Sequence, residues 1–305
     1  MAPDRRGGAQ KYTVAMILSF VSAEAAQALL TGFSVLAVAA YAWAAWRSET
    51  RPAEGGGPAA ERPAWPVHLG LLLPFAAHFL ALLVDISGLG LAQAGARFGF
   101  APALSMTAWL VLAVYLVESR LLPLPGARRV LALMALVTVL LALVFPGESR
   151  PQAASPWAPL HWVLGLASYG LFGVAVLHAV LLNRAERQMR QVGSGTVGRA
   201  RSASPGLPLL RLERLTFQFV GAGVTMLSLA LLLGWWFTPQ WRWDHKNLFA
   251  VLGWVVLTGL LTGRRIFGWR GRRATRWLYF GALLLLLSYA GSRFVLEVVL
   301  QRPPL

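Results

Sequence analysis

Long apolar runs separated by short polar, Pro-rich or Gly-rich breaks recur along the chain, at about 25–46, 66–88, 103–119, 130–145, 160–182, 215–237, 247–263 and 276–296. Each comes close to the roughly 20 residues that a helix needs to cross a hydrocarbon core of about 30 Å. Apolarity that is continuous over such lengths favours helices over the alternating strands of a barrel. The pattern predicts an all-α fold: a polytopic membrane helix bundle with about eight transmembrane helices, a single membrane domain over 1–305 and no soluble domain. Segment 1–24 is an N-terminal lead-in. Its Arg5, Arg6 and Lys11, followed by an apolar run and Ser22-Ala23-Glu24-Ala25, imitate a secretory signal; an amphipathic approach to the first span and a start at Met16 are the other readings. The longest polar stretch, 183–214, contains Gly193-Ser194-Gly195 and Ser202-Ala203-Ser204-Pro205. Such a stretch cannot bury a core and predicts a mobile cytoplasmic loop. Loop 52–65, with Gly55-Gly56-Gly57-Pro58, is similar.

Composition strengthens this picture, since 57% of the 305 residues are hydrophobic and 13% charged, with a mean hydropathy of +0.58. Ordinary water-soluble domains do not have that balance. The net charge of +16 would suggest nucleic acid in a soluble protein, but 19 of the 28 Lys and Arg lie in loops 47–65, 120–129, 183–214 and 264–276. Cytoplasmic loops carry such an excess. Both termini are therefore expected outside, with membrane lipid and not nucleic acid as the partner of the cations. The chain has no cysteine, which excludes thiolate chemistry, iron–sulfur ligation and disulfides. It has no phosphate-binding glycine motif, so nothing suggests an ATP-driven pump.

The stretch with most chemical content joins the sixth and seventh spans: Trp235-Trp236-Phe237-Thr238-Pro239-Gln240-Trp241-Arg242-Trp243-Asp244-His245. Tryptophan favours the headgroup region, and an interfacial belt accounts for Trp235 and Trp236. Trp241-Arg242-Trp243-Asp244 offers more, because indole faces beside a cation and an anion suit a planar ring that bears carboxylates. This stretch resembles the Trp-rich extracytoplasmic loop of the haem-handling membrane proteins of cytochrome c assembly, the CcsA/CcmC/CcmF-type family, with its pattern W-G-x-x-W-x-W-D. Trp241, Trp243 and Asp244 match the last three fixed positions, while Phe237 and Thr238 stand where the family has Trp-Gly. The resemblance covers 66–300 and is strongest over 160–292. There it takes in Leu160-His161, Tyr169, Leu212-Glu213-Arg214-Leu215, Gly221, Thr225, Gly234, Trp254 and Gly268-Trp269-Arg270-Gly271. Phe98 to Trp109, with Leu104-Ser105 and Ala108-Trp109, looks weakly like the N-terminal half. Among the branches the chain is most similar to the short YpjD-like inner-membrane proteins.

The resemblance implies a haem-binding or haem-delivering role in cytochrome c maturation, in a bacterial inner membrane, with haem b as cofactor and apocytochrome c and other maturation proteins as partners. It implies that His161, which matches the first of the histidines flanking the loop, ligates haem iron. The second flanking histidine is absent, because Leu261-Thr262-Gly263-Arg264 stands where the family has Leu-His-x-Arg; His245 is a substitute ligand next to Asp244. His78 and His178 are candidates for a second, membrane-embedded pair. For each of these histidines the alternative is a capping residue, or an imidazole hydrogen-bonded between helices. Asp85, Glu118, Arg293 and Glu297 lie near span ends, where they can snorkel or pair, and Arg293 and Glu297 are one turn apart. The competing functions are a permease-type protein of the same fold that no longer binds haem, and an assembly partner for which the loop is a docking surface. Whether the chain catalyses thioether formation is open.

Overall fold

Every one of the eight apolar runs is a helix in the computed structural model, which describes residues 23–47, 65–87, 95–120, 127–151, 157–192, 209–238 and 243–300. In chain order they are α1 (Ala23–Arg47), α2 (Trp65–Ser87), α3 (Phe100–Glu118), α4 (Ala127–Val144), α5 (Ala158–Val192), α6 (Leu209–Phe237), α7 (His245–Phe267) and α8 (Gly271–Val299). All eight are long and apolar enough to cross a membrane. The N-terminal lead-in as far as residue 22, the segment 193–208, and Trp241 with Arg242 lie outside the described residues.

The surface of this bundle is the reverse of a soluble protein's. Leu73, Val137, Leu232, Val255 and Leu283 each leave half or more of their surface exposed around its girth, where lipid and not water is the matching solvent. Small side chains fill the interior instead: Ala37, Ala44, Ala101, Ala132, Ala135, Ala175 and Ala179 are fully buried. Helices in lipid associate by close van der Waals approach, which small residues permit.

A five-helix group and a four-helix group share α5. A first core joins Tyr41, Leu71, Leu112 and Leu131 of α1–α4 to Val174 and Leu181 of α5. A second joins Phe172, Ala175 and Ala179, on another face of α5, to Val220, Leu257 and Leu278 of α6–α8. At 35 residues α5 is the longest helix described, about 52 Å at 1.5 Å per residue, and it outruns the hydrocarbon core. Consequently 183–192 and 209–214, expected as loop, are helical. Arg184, Glu186 and Arg187 are good helix formers, and an existing helix extends at low cost.

Helices that alternate in direction give the bundle two unlike ends. One end gathers Arg47, Arg120, Arg128, Arg187, Arg211 and Arg272, and is called the arginine end below. The other, the tryptophan end, carries Trp157, Trp236 and Trp243. There the α2–α3 and α4–α5 connections pair as a short antiparallel ladder, β1 (Gly95–Phe98) with β2 (Glu148–Pro151). Arg97 on β1 also lies 3.8 Å from Asp85 near the end of α2.

Candidate functional site

His161 sits in the first turn of α5 at the tryptophan end, half-buried against α6. Its Nδ1–H donates to the carbonyl of Ala230 at 2.8 Å, which leaves the lone pair on Nε2. No hydrogen bond to Nε2 is made among the described residues. The ring lies flat on α6 because Gly234 has no side chain: a Cβ there would come within 2.9 Å of Cε1. Phe237 closes the other side edge-on, 5.6 Å between ring centres. An imidazole whose Nδ1–H is fixed by a carbonyl presents Nε2 in a set direction, the usual arrangement of a metal-ligating histidine.

Around His161 the exposed aromatics cluster. Trp157, which immediately precedes α5, contacts Trp236 with ring centres 5.5 Å apart. Trp235, Trp236 and Trp243 are each about two-thirds exposed. Asp244 accepts a hydrogen bond from the N–H of Asn247 at 2.8 Å and so caps α7, as aspartate does at helix starts. His245 is the exposed first residue of that helix. Thr238 ends α6 by donating its hydroxyl to the Gly234 carbonyl at 2.6 Å. His161 and Phe237 are thus in direct contact, with Trp243, Asp244 and His245 at the same end of the bundle.

The embedded histidines lie elsewhere. His78 is buried between α1 and α3, with Tyr41 Oη 3.3 Å from Nδ1 and Ser105 Oγ 2.8 Å from Nε2. His178 is buried near the arginine end, with Nε2 2.8 Å from Glu118 Oε2 and its ring edge-on to Phe219. Its Nδ1 has no hydrogen bond among the described residues. Ser105 and Glu118 are 13 residues apart on α3, a rise of about 20 Å. The structure therefore does not bring His78 and His178 together, and one iron could not accept both in this arrangement.

Several residues singled out in the sequence prove to be helix-packing elements. Trp254 donates Nε1–H to Ser228 Oγ at 2.7 Å. Tyr169 Oη–H donates to the Leu285 carbonyl at 2.7 Å. Arg264 lies over the Phe217 ring at 3.5 Å and 3.8 Å from Glu213. Trp269 packs on Gly263, and the turn 268–270 between α7 and α8 has positive φ at Gly268. Trp109 donates to the Phe75 carbonyl at 3.1 Å while stacking on Phe75 and Phe79. Sequence reasoning did not find the roles of Ala230 and Gly234 toward His161; the signal was a glycine one turn before Thr238, at the end of the span that leads into the Trp-rich loop.

Fold and site together define a class: a multi-pass helical membrane protein that gathers a poised imidazole and a patch of exposed tryptophan at one membrane face. The chain belongs to the cytochrome c assembly protein family, whose model matches residues 71–300. It is 30% identical over 169 residues to the inner membrane protein YpjD of Escherichia coli K12, a match that takes in 54% of this chain and 62% of that relative. This is less than two thirds of the relative's length. It is also 30% identical over 156 residues to an uncharacterized 28.8 kDa protein of Azospirillum brasilense, covering 50% of this chain and 56% of that one. With the cytochrome c biogenesis protein CcsA of Prochlorococcus marinus it shares 22% identity over 223 residues, 63% of this chain and 71% of CcsA. No solved structure matches it.

The residues at the tryptophan end fit a haem on one side of the iron. His161 supplies an imidazole nitrogen without a competing hydrogen bond, and the flat aromatic surface suits a macrocycle. Among the described residues no group of three or more His, Cys, Asp or Glu converges as a metal site.

Proposed function

We propose that this protein holds haem b at its tryptophan end for cytochrome c maturation, in a bacterial inner membrane with that end and both termini outside. The observation that carries the reading is the fixed His161, with Nδ1 bonded to Ala230 and the ring seated on Gly234. His161 would hold the haem iron, with His245, the first residue of α7 at the same end of the bundle, as the second candidate ligand. When bound, haem supplies the vinyl groups that become attached to an apocytochrome. This chain's own residues hold and orient: Ala230 fixes the imidazole, Phe237 limits its rotation, Asp244 starts α7 at the loop, and Trp243 presents an aromatic face. Thiols for the attachment belong to the apocytochrome, in keeping with a chain without cysteine. The orientation rests on the gathering of arginines at the opposite end.

A permease-type protein without haem is the second reading; Thr262, where the family has histidine, lies 17 residues along α7 from His245, about 25 Å toward the arginine end, so its identity bears on an embedded ligand and not on a partner for His161. Gly263 beside Thr262 is covered by Trp269. An absorption spectrum of the detergent-purified full chain, produced with haem precursor, separates the two. A Soret band that is lost in His161→Ala and kept in His178→Ala supports the first; a colourless wild-type protein rejects it.

A further inference from the structure

Away from His161, the tryptophan-end half of α1–α4 contains a cavity of about 50 Å³ with several polar groups in a largely apolar wall. Its polar lining is Gln27 and Ser34 from α1, His78 and Asp85 from α2, and Ser105 from α3. α4 contributes only Val139, Ala142 and Leu143. The spacing is regular. Gln27, Ser34 and Tyr41 are seven residues apart in turn, as are His78 and Asp85, so each helix repeats a polar group every two turns, about 10 Å. Facing stripes of this kind run from the membrane surface toward the centre, where Tyr41 and His78 meet.

The groups along this line are not closed off among themselves. Gln27 is exposed at the mouth. Asp85 is 8% exposed, and its Oδ1 makes no hydrogen bond; its nearest cation is Arg97 at 3.8 Å, beyond hydrogen-bonding distance. Ser34 is 4% exposed and has no hydrogen bond among the described residues. A buried carboxylate oxygen and a buried hydroxyl without partners are costly in a membrane interior unless water reaches them. A cavity of this volume with several polar walls has room for about three waters. The rise of about 10 Å between His78 and Asp85 is what such a file spans.

We propose that this cavity is a hydrated inlet through which water and protons from the tryptophan-end surface reach His78, with Asp85 as the relay at its mouth. A proton arriving along the waters reaches Nε2 of His78 through the Ser105 hydroxyl, which takes the arriving proton as it gives up its own, and a proton returns from Nε2 to the waters through the same hydroxyl. The displaced proton leaves by the same file, so exchange moves no net charge. His78 meets Tyr41 from α1 and the hydroxyl of Ser105 from α3; Asp85 of its own helix lines the same cavity, with Arg97 of β1 beside that carboxylate, and α4 lines it with apolar residues. The inlet is independent of haem, because neither ring nitrogen of His78 is free of a protein partner.

The test uses the full chain in lipid bilayers, labelled with ¹⁵N-histidine and studied by solid-state NMR, with signals assigned through His78→Gln and His178→Gln. On transfer to D₂O the His78 ring N–H is expected to exchange at least tenfold faster than that of His178, which is buried and bonded to Glu118. Asp85→Asn, which keeps the shape, is expected to slow His78 at least tenfold and leave His178 unchanged. Ser34→Val, which fills the file, is expected to do the same and to remove magnetisation transfer from water to the His78 ring. An unchanged thermal midpoint certifies each variant as folded. His78 exchanging as slowly as His178 in the wild type would overturn the inlet, and so would a His78 rate that Asp85→Asn leaves unaltered.

Discussion

His161 and Asp244 show how one side chain can be claimed by two roles. Both match positions of the family's pattern, Asp244 within the Trp-rich loop and His161 before it, and both are engaged by the backbone. For His161 the carbonyl on Nδ1 leaves Nε2 oriented, the geometry that the proposed ligation would need. For Asp244 the contact is a helix cap that explains the residue without any ligand. The two roles of Asp244 separate by substitution. Asp244→Ala is expected to cost about 1 kcal/mol, the usual worth of a cap, and Asp244→Asn only a few tenths. The thermal unfolding midpoint in detergent reports both. An equal loss in the asparagine variant would show that the charge, and not the cap, is what the position requires.

At the scale of elements, glycine decides how closely helices approach. Gly253 of α7 faces Leu285 of α8, and Gly281 of α8 faces Leu257 of α7, so each leucine fills the space left by the other helix's glycine. A Cβ at Gly281 would lie 2.6 Å from Leu257 Cγ. Gly281→Val is expected to destabilise the bundle by about 1–3 kcal/mol through overpacking, read as a lower unfolding midpoint, whereas Gly259→Ala, with open space at that position, should change it little. Another element-scale contact joins the two halves of the chain. Gly99 has no side chain with which to cap α3, and Glu297 of α8 accepts from the Phe100 N–H at 3.4 Å. The same carboxylate group lies 3.8 Å from Arg293. The i,i+4 spacing of that pair is visible in the sequence, but the contact to α3, 197 residues away, is not.

For the whole molecule, a belt of exposed apolar side chains lies between an arginine-rich and a tryptophan-rich end, which is how a protein is matched to a bilayer. The orientation proposed above predicts that alkaline phosphatase fused after Leu305 or within 239–242 is active in the periplasm, and that the same fusion within 121–126 or 193–208 is inactive. Activity with the reverse pattern would turn the molecule over and place His161 on the cytoplasmic side.

The sequence by itself determined the number, extent and kind of the membrane-crossing elements, because the thickness of the hydrocarbon core sets a length that no soluble helix needs. From the parity of the crossings it also put His161 at the same end as the Trp-rich loop. It misjudged 183–192 and 209–214, where charged residues continue helices beyond the bilayer. Only the tertiary structure decided which polar groups meet. The bond from His161 to Ala230, the seat on Gly234, the separation of His78 from His178 and the cavity between Asp85 and His78 all depend on which helix lies beside which, and at what rotation. Apolar periodicity cannot encode this in lipid, where a helix may be hydrophobic all round and still bury only one face.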